Sequence, residues 1–168
     1  MNVLLTGATT GIGNATLKVL LDSKSIDKIY VISRNEINIV DERLIFLKCD
    51  ISDERELFKV CENNLADIDV FIANAGCGKF AKVEKFDLLD VRNLFEINLI
   101  ANFQILKQIL PHMKARNHGK IIFISSDADN QGFDEGTAYC ASKFGLKGLS
   151  KALRVELDGT NIGVTTIS

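Results

Sequence analysis

Tyr139 and Lys143 stand four residues apart in Tyr139-Cys140-Ala141-Ser142-Lys143, and Ser125-Ser126 closes an apolar run just upstream, Ser126 thirteen residues before the tyrosine. On a helix, an i,i+4 pair shares one face, so the ammonium lies beside the phenol. A phenol with a pKa near ~10 exchanges protons poorly at neutral pH, and a nearby cation favours its ionised form by roughly one to three units. The chemistry these residue types suggest is a tuned general acid/base, with Ser125-Ser126 delivered to the same cleft by a strand. Tyr and Lys at this spacing are common on helices, so the reading depends on the rest of the chain.

The surrounding elements supply a place for a dinucleotide. Val3-Leu4-Leu5 reads as a strand cut off by Gly7, and Thr6-Gly7-Ala8-Thr9-Thr10-Gly11-Ile12-Gly13 leads into the helical spacing of Asn14 to Leu21. Strand, glycine turn and helix let backbone amides and the positive helix end meet a pyrophosphate. The spacing is TGxxxGxG, not the commoner GxGxxG. The second strand, Asp27 to Ser33, ends at Arg34, where an acid would accept from an NAD ribose and an Arg pairs with the NADP 2′-phosphate. Ser33-Arg34 therefore favours NADP, against the alternative of a solvated surface Arg. Asp50-Ile51 leaves the third strand where the carboxylate could accept from an adenine amino group or serve a helix cap. Asn74-Ala75-Gly76 ends the fourth strand with small residues that admit a cofactor and an amide that pins backbone.

The positioning elements follow from pattern. Strands are expected at Leu44–Lys48, Ile68–Ala73, Lys120–Ile124 and Ile162–Ile167. Residues 35–43 are too few for a long crossover helix and predict a turn or a shrunken helix. Ser52 is the expected N-cap of a helix from Asp53 to about Leu65. A long helix from Leu88 to about Lys114 encloses Asn98 among apolar residues, as a structural kink or a holder of ordered water, with a soft stop at Pro111. The helix carrying Tyr139 runs to about Leu157, and its Gly145 and Gly148 predict close packing. His112 and His118 read as surface residues.

The 168 residues make one expected domain, 1–168. With 20 basic and 22 acidic residues and no block of one sign, nothing points to nucleic acid or a membrane surface. Cys49, Cys61, Cys77 and Cys140 form no CxxC pair and have no His at ligand spacing, so no metal is expected and the thiols read as reduced. A strand begins at once after Met1, leaving no room for a signal helix, and no run is long enough to span a membrane. A cytoplasmic protein is the expectation.

Together, Thr6-Gly7-x-x-x-Gly11-Ile12-Gly13, Asp50, Asn74-Ala75-Gly76, Asn98, Ser126 and Tyr139-x-x-x-Lys143 resemble the short-chain dehydrogenase/reductase family. The resemblance implies an α/β, Rossmann-like doubly wound parallel sheet with strand order 3-2-1-4-5-6 and an NAD(P)-dependent oxidoreductase acting on a carbonyl or secondary alcohol. By it, Thr6, Gly7, Gly11, Ile12, Gly13, Ser33, Arg34, Asp50, Ile51, Asn74, Ala75 and Gly76 hold the cofactor, NADP in preference to NAD. Ser126, fitting the family spacing better than Ser125, positions the carbonyl. Tyr139 exchanges the proton, Lys143 binds nicotinamide ribose and keeps Tyr139 acidic, and Asn98 holds a water linking the lysine to solvent. A homodimer or homotetramer is implied. The chain departs from the family in its short crossover after Arg34 and in stopping at Ser168, before a Pro-Gly turn, substrate lobe and seventh strand. It is expected to be a fragment or a short relative, the rival reading being a non-catalytic dinucleotide-binding or interaction protein.

Overall fold

Short runs of β-branched and aliphatic residues become six strands in the computed structural model, which describes residues 1–168. They are β1 (Asn2–Thr6), β2 (Lys28–Ser33), β3 (Leu44–Lys48), β4 (Val70–Ala73), β5 (Gly119–Ile124) and β6 (Ile162–Ile167). All pair in parallel, in the order β3-β2-β1-β4-β5-β6. The expected order and every expected strand are present, each within two residues of its anticipated bounds. The helices are α1 (Gly11–Asp22), α2 (Glu54–Asn64), α3 (Leu88–Phe95), α4 (Ala101–Ala115) and α5 (Thr137–Glu156).

Successive strand residues face opposite sides, so one strand feeds two cores. Leu4, Tyr30, Ile32, Phe71, Ile121 and Phe123 pack with Leu57 of α2, Ile105 of α4 and Leu146 of α5. Val3, Leu5, Ile29, Val31 and Ile72 pack on the other face with Leu17 of α1. The chain reverses direction of winding between β1 and β4, and ligands of open α/β sheets bind at the carboxyl ends of the strands flanking that point.

Of the two forms expected for residues 35–43 the turn is the one present, at Glu42-Arg43, and three other local expectations are corrected. Residues 35–43 form no helix; Arg43 instead reaches the carbonyls of Leu21 and Ser23 at the end of α1, which has no basic residue in its last turn. The α2 cap is Asp53, not Ser52: its carboxylate accepts from the amides of Arg55 and Glu56, whereas Ser52 turns back to Asp50. The long helix is divided by a π-helical turn, Glu96–Ile100, centred on Asn98, while Pro111 sits inside α4 without ending it. Gly145 does pack closely, since a Cβ there would meet Leu99, but Gly148 faces open space.

Candidate active site

The strand ends enclose a cleft of about 450 Å³ lined from β1 to α5. At its first wall the chain leaves β1 through Gly7, whose φ of +71° and closeness to Ala75 exclude a side chain. Thr6 and Asn74 brace this turn from behind. Thr6 Oγ1 accepts from the amides of Asn74 and Ala75, both at 3.1 Å, and Asn74 Nδ2 donates to the carbonyls of Thr6 (3.0 Å) and Gly7 (2.9 Å). Gly13 closes the turn, because a Cβ there would overlap the Gly7 carbonyl and the Asn74 amide.

The α1 N-terminus that follows is left uncapped. Thr10 makes no side-chain cap bond and the first turn holds no acidic residue, so free amides and the positive end of the helix face the cleft. That is the donor set a pyrophosphate requires.

At the far end, Ser33, Arg34, Asp50 and Ile51 line the cleft. Arg34 Nη1 lies 3.8 Å from Asp50 Oδ2, and Asp50 Oδ1 accepts from the Ser52 amide (3.0 Å) and hydroxyl (2.7 Å). Burial presses the Asp50 carboxyl upward, but the Ser52 hydrogen bonds and the Arg34 charge outweigh it and hold the group below the ordinary carboxylate range.

The middle of the floor is Ala75, Gly76 and Cys77. Asn98, 1% exposed, lies just behind it: Oδ1 accepts from the Cys77 amide, and Nδ2 donates to the Cys77 carbonyl and to Ser142 Oγ. Ser142 Oγ donates in turn to the Tyr139 carbonyl at 2.7 Å. The π-turn thus ties the floor to the helix that carries the tyrosine. Both Nδ2 protons of Asn98 and one lone pair of its Oδ1 are taken by these partners.

Tyr139 and Lys143 form the last wall. Lys143 Nζ is 5.8 Å from the centre of the Tyr139 ring and 3.4 Å from the Ile124 carbonyl. Burial pushes the lysine below its ordinary pKa, while Cys77 and Asp129 pull it back up. Burial likewise raises the Cys77 thiol against the opposing pull of Arg34 and Lys143. Phe80 stands edge-on to Tyr139, centroids 5.5 Å apart, with Phe133 completing the cluster 5.7 Å from Phe80.

Twelve of the residues singled out from sequence meet in this cleft: Gly7, Ile12, Gly13, Ser33, Arg34, Asp50, Ile51, Asn74, Ala75, Gly76, Tyr139 and Lys143. Thr6 and Asn98 act from behind, and Gly11, at φ +54°, stands clear of any neighbour. Of the serines, Ser125 lines the cleft, its hydroxyl buried without a hydrogen-bond partner, whereas Ser126 Oγ accepts from the Ala128 amide at 3.2 Å. Sequence reasoning missed Cys77 and Phe80. Cys77 directly follows a recognised motif and was within reach of the pattern; Phe80 lies in a loop with no periodicity to mark it.

A sequence model described as short chain dehydrogenase matches residues 1–168. The chain is 33% identical over 171 residues to carbonyl reductase family member 4 of Xenopus laevis, covering 96% of this chain and 71% of that protein. It is 32% identical over 177 residues to the 3-dehydrosphinganine reductase TSC10B of Arabidopsis thaliana, covering 99% of this chain and 53% of that protein. It therefore spans from about half to about seven-tenths of these relatives. Among solved structures, the closed form of a serine dehydrogenase complexed with NADP+ superposes with a TM-score of 0.89 at 27% identity, over 99% of this chain and 70% of that one.

Proposed function

Because the chain belongs to the short-chain dehydrogenase family, whose sequence model matches it over residues 1–168, we propose that it is an NAD(P)-dependent oxidoreductase interconverting a carbonyl and a secondary alcohol. The observation that carries this reading is the shared cleft of the uncapped α1 N-terminus and the Tyr139-Lys143 pair. The nicotinamide cofactor, when bound, supplies or takes up the hydride. Gly7, Gly13 and the first α1 amides hold its pyrophosphate, with Thr6 and Asn74 keeping their turn in shape. Gly76 keeps the floor clear, since a Cβ there would crowd Asn98 Oδ1 at 3.3 Å.

Tyr139 gives its proton to the carbonyl oxygen in reduction and takes it back in oxidation. Lys143 supports the ionised phenol electrostatically and binds the nicotinamide ribose. Ser126 orients the carbonyl as its spacing to Tyr139 implies, and Ser125, whose hydroxyl has no partner, lines the same cleft. Asn98, besides bracing Cys77, holds the water that links Lys143 to solvent. NADP is the preferred cofactor, supported by Arg34 beside Ser33 with no acid at the strand tip, and by the solved neighbour bound to NADP+.

No helix is long and apolar enough to cross a membrane, in keeping with a cytoplasmic enzyme. Assembly is a homodimer or homotetramer through α4 and α5, where Phe103 is 57% exposed and Gly148 leaves an open face.

The deciding experiment replaces Tyr139 by Phe. Turnover of carbonyl substrates should fall by a factor of roughly a hundred to ten thousand with NADPH affinity unchanged, whereas Lys143→Ala should damage both. A Tyr139→Phe variant that keeps most activity would sink the assignment.

A further inference from the structure

Beneath the tyrosine-lysine pair lies a second charged pair that the reaction does not use. Tyr139, Lys143 and Lys147 succeed one another at i,i+4 along α5, so the two lysines are adjacent on one helix face. Like charges at that spacing repel, and Lys143, 5% exposed, has little water to screen it. Asp129 answers Lys147. It ends the 3-10 turn Asp127–Asp129 after β5, its side chain has no exposed surface, and Oδ1 accepts from Lys147 Nζ at 2.9 Å. Its Oδ2 accepts from Ser168 Oγ at 2.6 Å, and Lys147 also reaches the Asn130 side chain. A carboxylate is seldom fully buried unless paired, so its place here calls for a reason.

We propose that Asp129 is a positioning counter-ion for the active site: by cancelling the charge of Lys147 it allows the buried Lys143 to stay protonated, and it pins the turn after Ser125-Ser126 to α5. This rests on the oxidoreductase reading, in which Lys143 works as a cation. Cys77 from the loop after β4 and Asp129 from the turn after β5 act on Lys143 through their charge, and Tyr139 and Lys147 flank it one turn away on its own helix. Burial presses the Asp129 carboxyl upward, and the hydrogen bonds from Ser168 and Lys147 with the Lys147 charge more than offset it, holding the group below the ordinary carboxylate range. Asp129 also draws the Lys143 pKa upward against burial.

The test is a titration of side-chain-labelled lysines by NMR on the full 168-residue chain without cofactor, the Lys143 signal being identified by its loss in Lys143→Arg. Asp129→Asn exposes Lys143 to an uncancelled cation and should lower its midpoint by roughly one unit. Lys147→Met leaves an uncancelled anion and should raise it, and the double variant should return it to the wild-type position. A purely structural role would move both single variants the same way or neither; either result overturns the proposal. If Asp129→Asn does not fold, Lys147→Met decides alone, the absence of a rise being the refutation. The midpoint is read without turnover, so failure here leaves the oxidoreductase reading standing, and an inactive chain leaves this measurement intact.

Discussion

Asn98 grips Cys77 at both ends of its peptide backbone, accepting from the amide at 2.9 Å and donating to the carbonyl at 3.0 Å. The π-turn that carries Asn98 brings a side chain from the middle of a helix to the cleft floor, and the Ser142 bond carries the constraint on to the helix of Tyr139. A buried backbone group that loses its partner costs about 1–3 kcal/mol. Asn98→Leu should therefore lower unfolding free energy by about 2–4 kcal/mol and loosen the floor of the cleft. Urea denaturation measures the first effect, and a loss below about 1 kcal/mol would show that the Cys77 backbone finds other partners.

That π-turn marks the boundary of what pattern could reveal. The apolar spacing of Leu94, Ile97, Ala101 and Ile105 reads equally well as an unbroken helix, because one widened turn shifts the face by less than the breadth of the apolar stripe. The strands were legible because each is a short aliphatic run between glycines and polar loops, and their order was legible through the family resemblance. The Asp53 cap was missed by one residue because Ser52 and Asp53 are both good caps and Asp50 claims the serine hydroxyl. Ser125 and Ser126 could not be separated by geometry from sequence alone: adjacent residues at a strand end point opposite ways, and which way depends on pleat phase.

The glycine turn allows a contrast of three substitutions. Gly13→Ala forces a Cβ into the Gly7 carbonyl and Asn74 amide, both rigid, and should weaken NADPH binding more than tenfold. Gly11→Ala meets no atom and suffers only its positive φ, costing roughly 1 kcal/mol. Gly148→Ala lies mid-helix with open space and should stabilise the isolated chain by up to about 1 kcal/mol. Fluorescence titration with NADPH and thermal melts rank the three; equal binding by Gly13→Ala and wild type would contradict the geometry of the turn.

The Arg34–Asp50 pair sets a competition at the adenosine end. Arg34 is mostly exposed and 3.8 Å from Asp50, so a 2′-phosphate can take the guanidinium over at small cost. Arg34→Ala should reduce the preference for NADPH over NADH by about 1–3 kcal/mol. Asp50→Asn should strengthen NADPH binding, since it removes a carboxylate that both occupies Arg34 and repels the phosphate. Identical affinities for the two cofactors in wild type and Arg34→Ala would make Arg34 a plain surface residue.

Two buried thiols give the fold an alkaline weakness. Cys49 and Cys61 are each pushed up to about 12, both chiefly by burial, with nearby charges such as Glu56 adding to Cys49. In the unfolded chain they ionise near ~8.5. Between those values the unfolded state sheds protons that the folded state keeps, so stability is intact below about pH 8 and falls as pH rises. Each thiol should remove about 2 kcal/mol between pH 8 and pH 10. Lys143, held below its ordinary value, acts in the opposite sense, because its unfavourable burial as a cation is relieved as pH rises, but it is one group against two. Unfolding free energies at the two pH values should thus drop by a few kcal/mol in wild type. Cys61→Ala should start lower, from the cavity it leaves, yet decline less steeply. Parallel pH profiles for the variant and wild type would show that Cys61 keeps no proton the unfolded chain gives up.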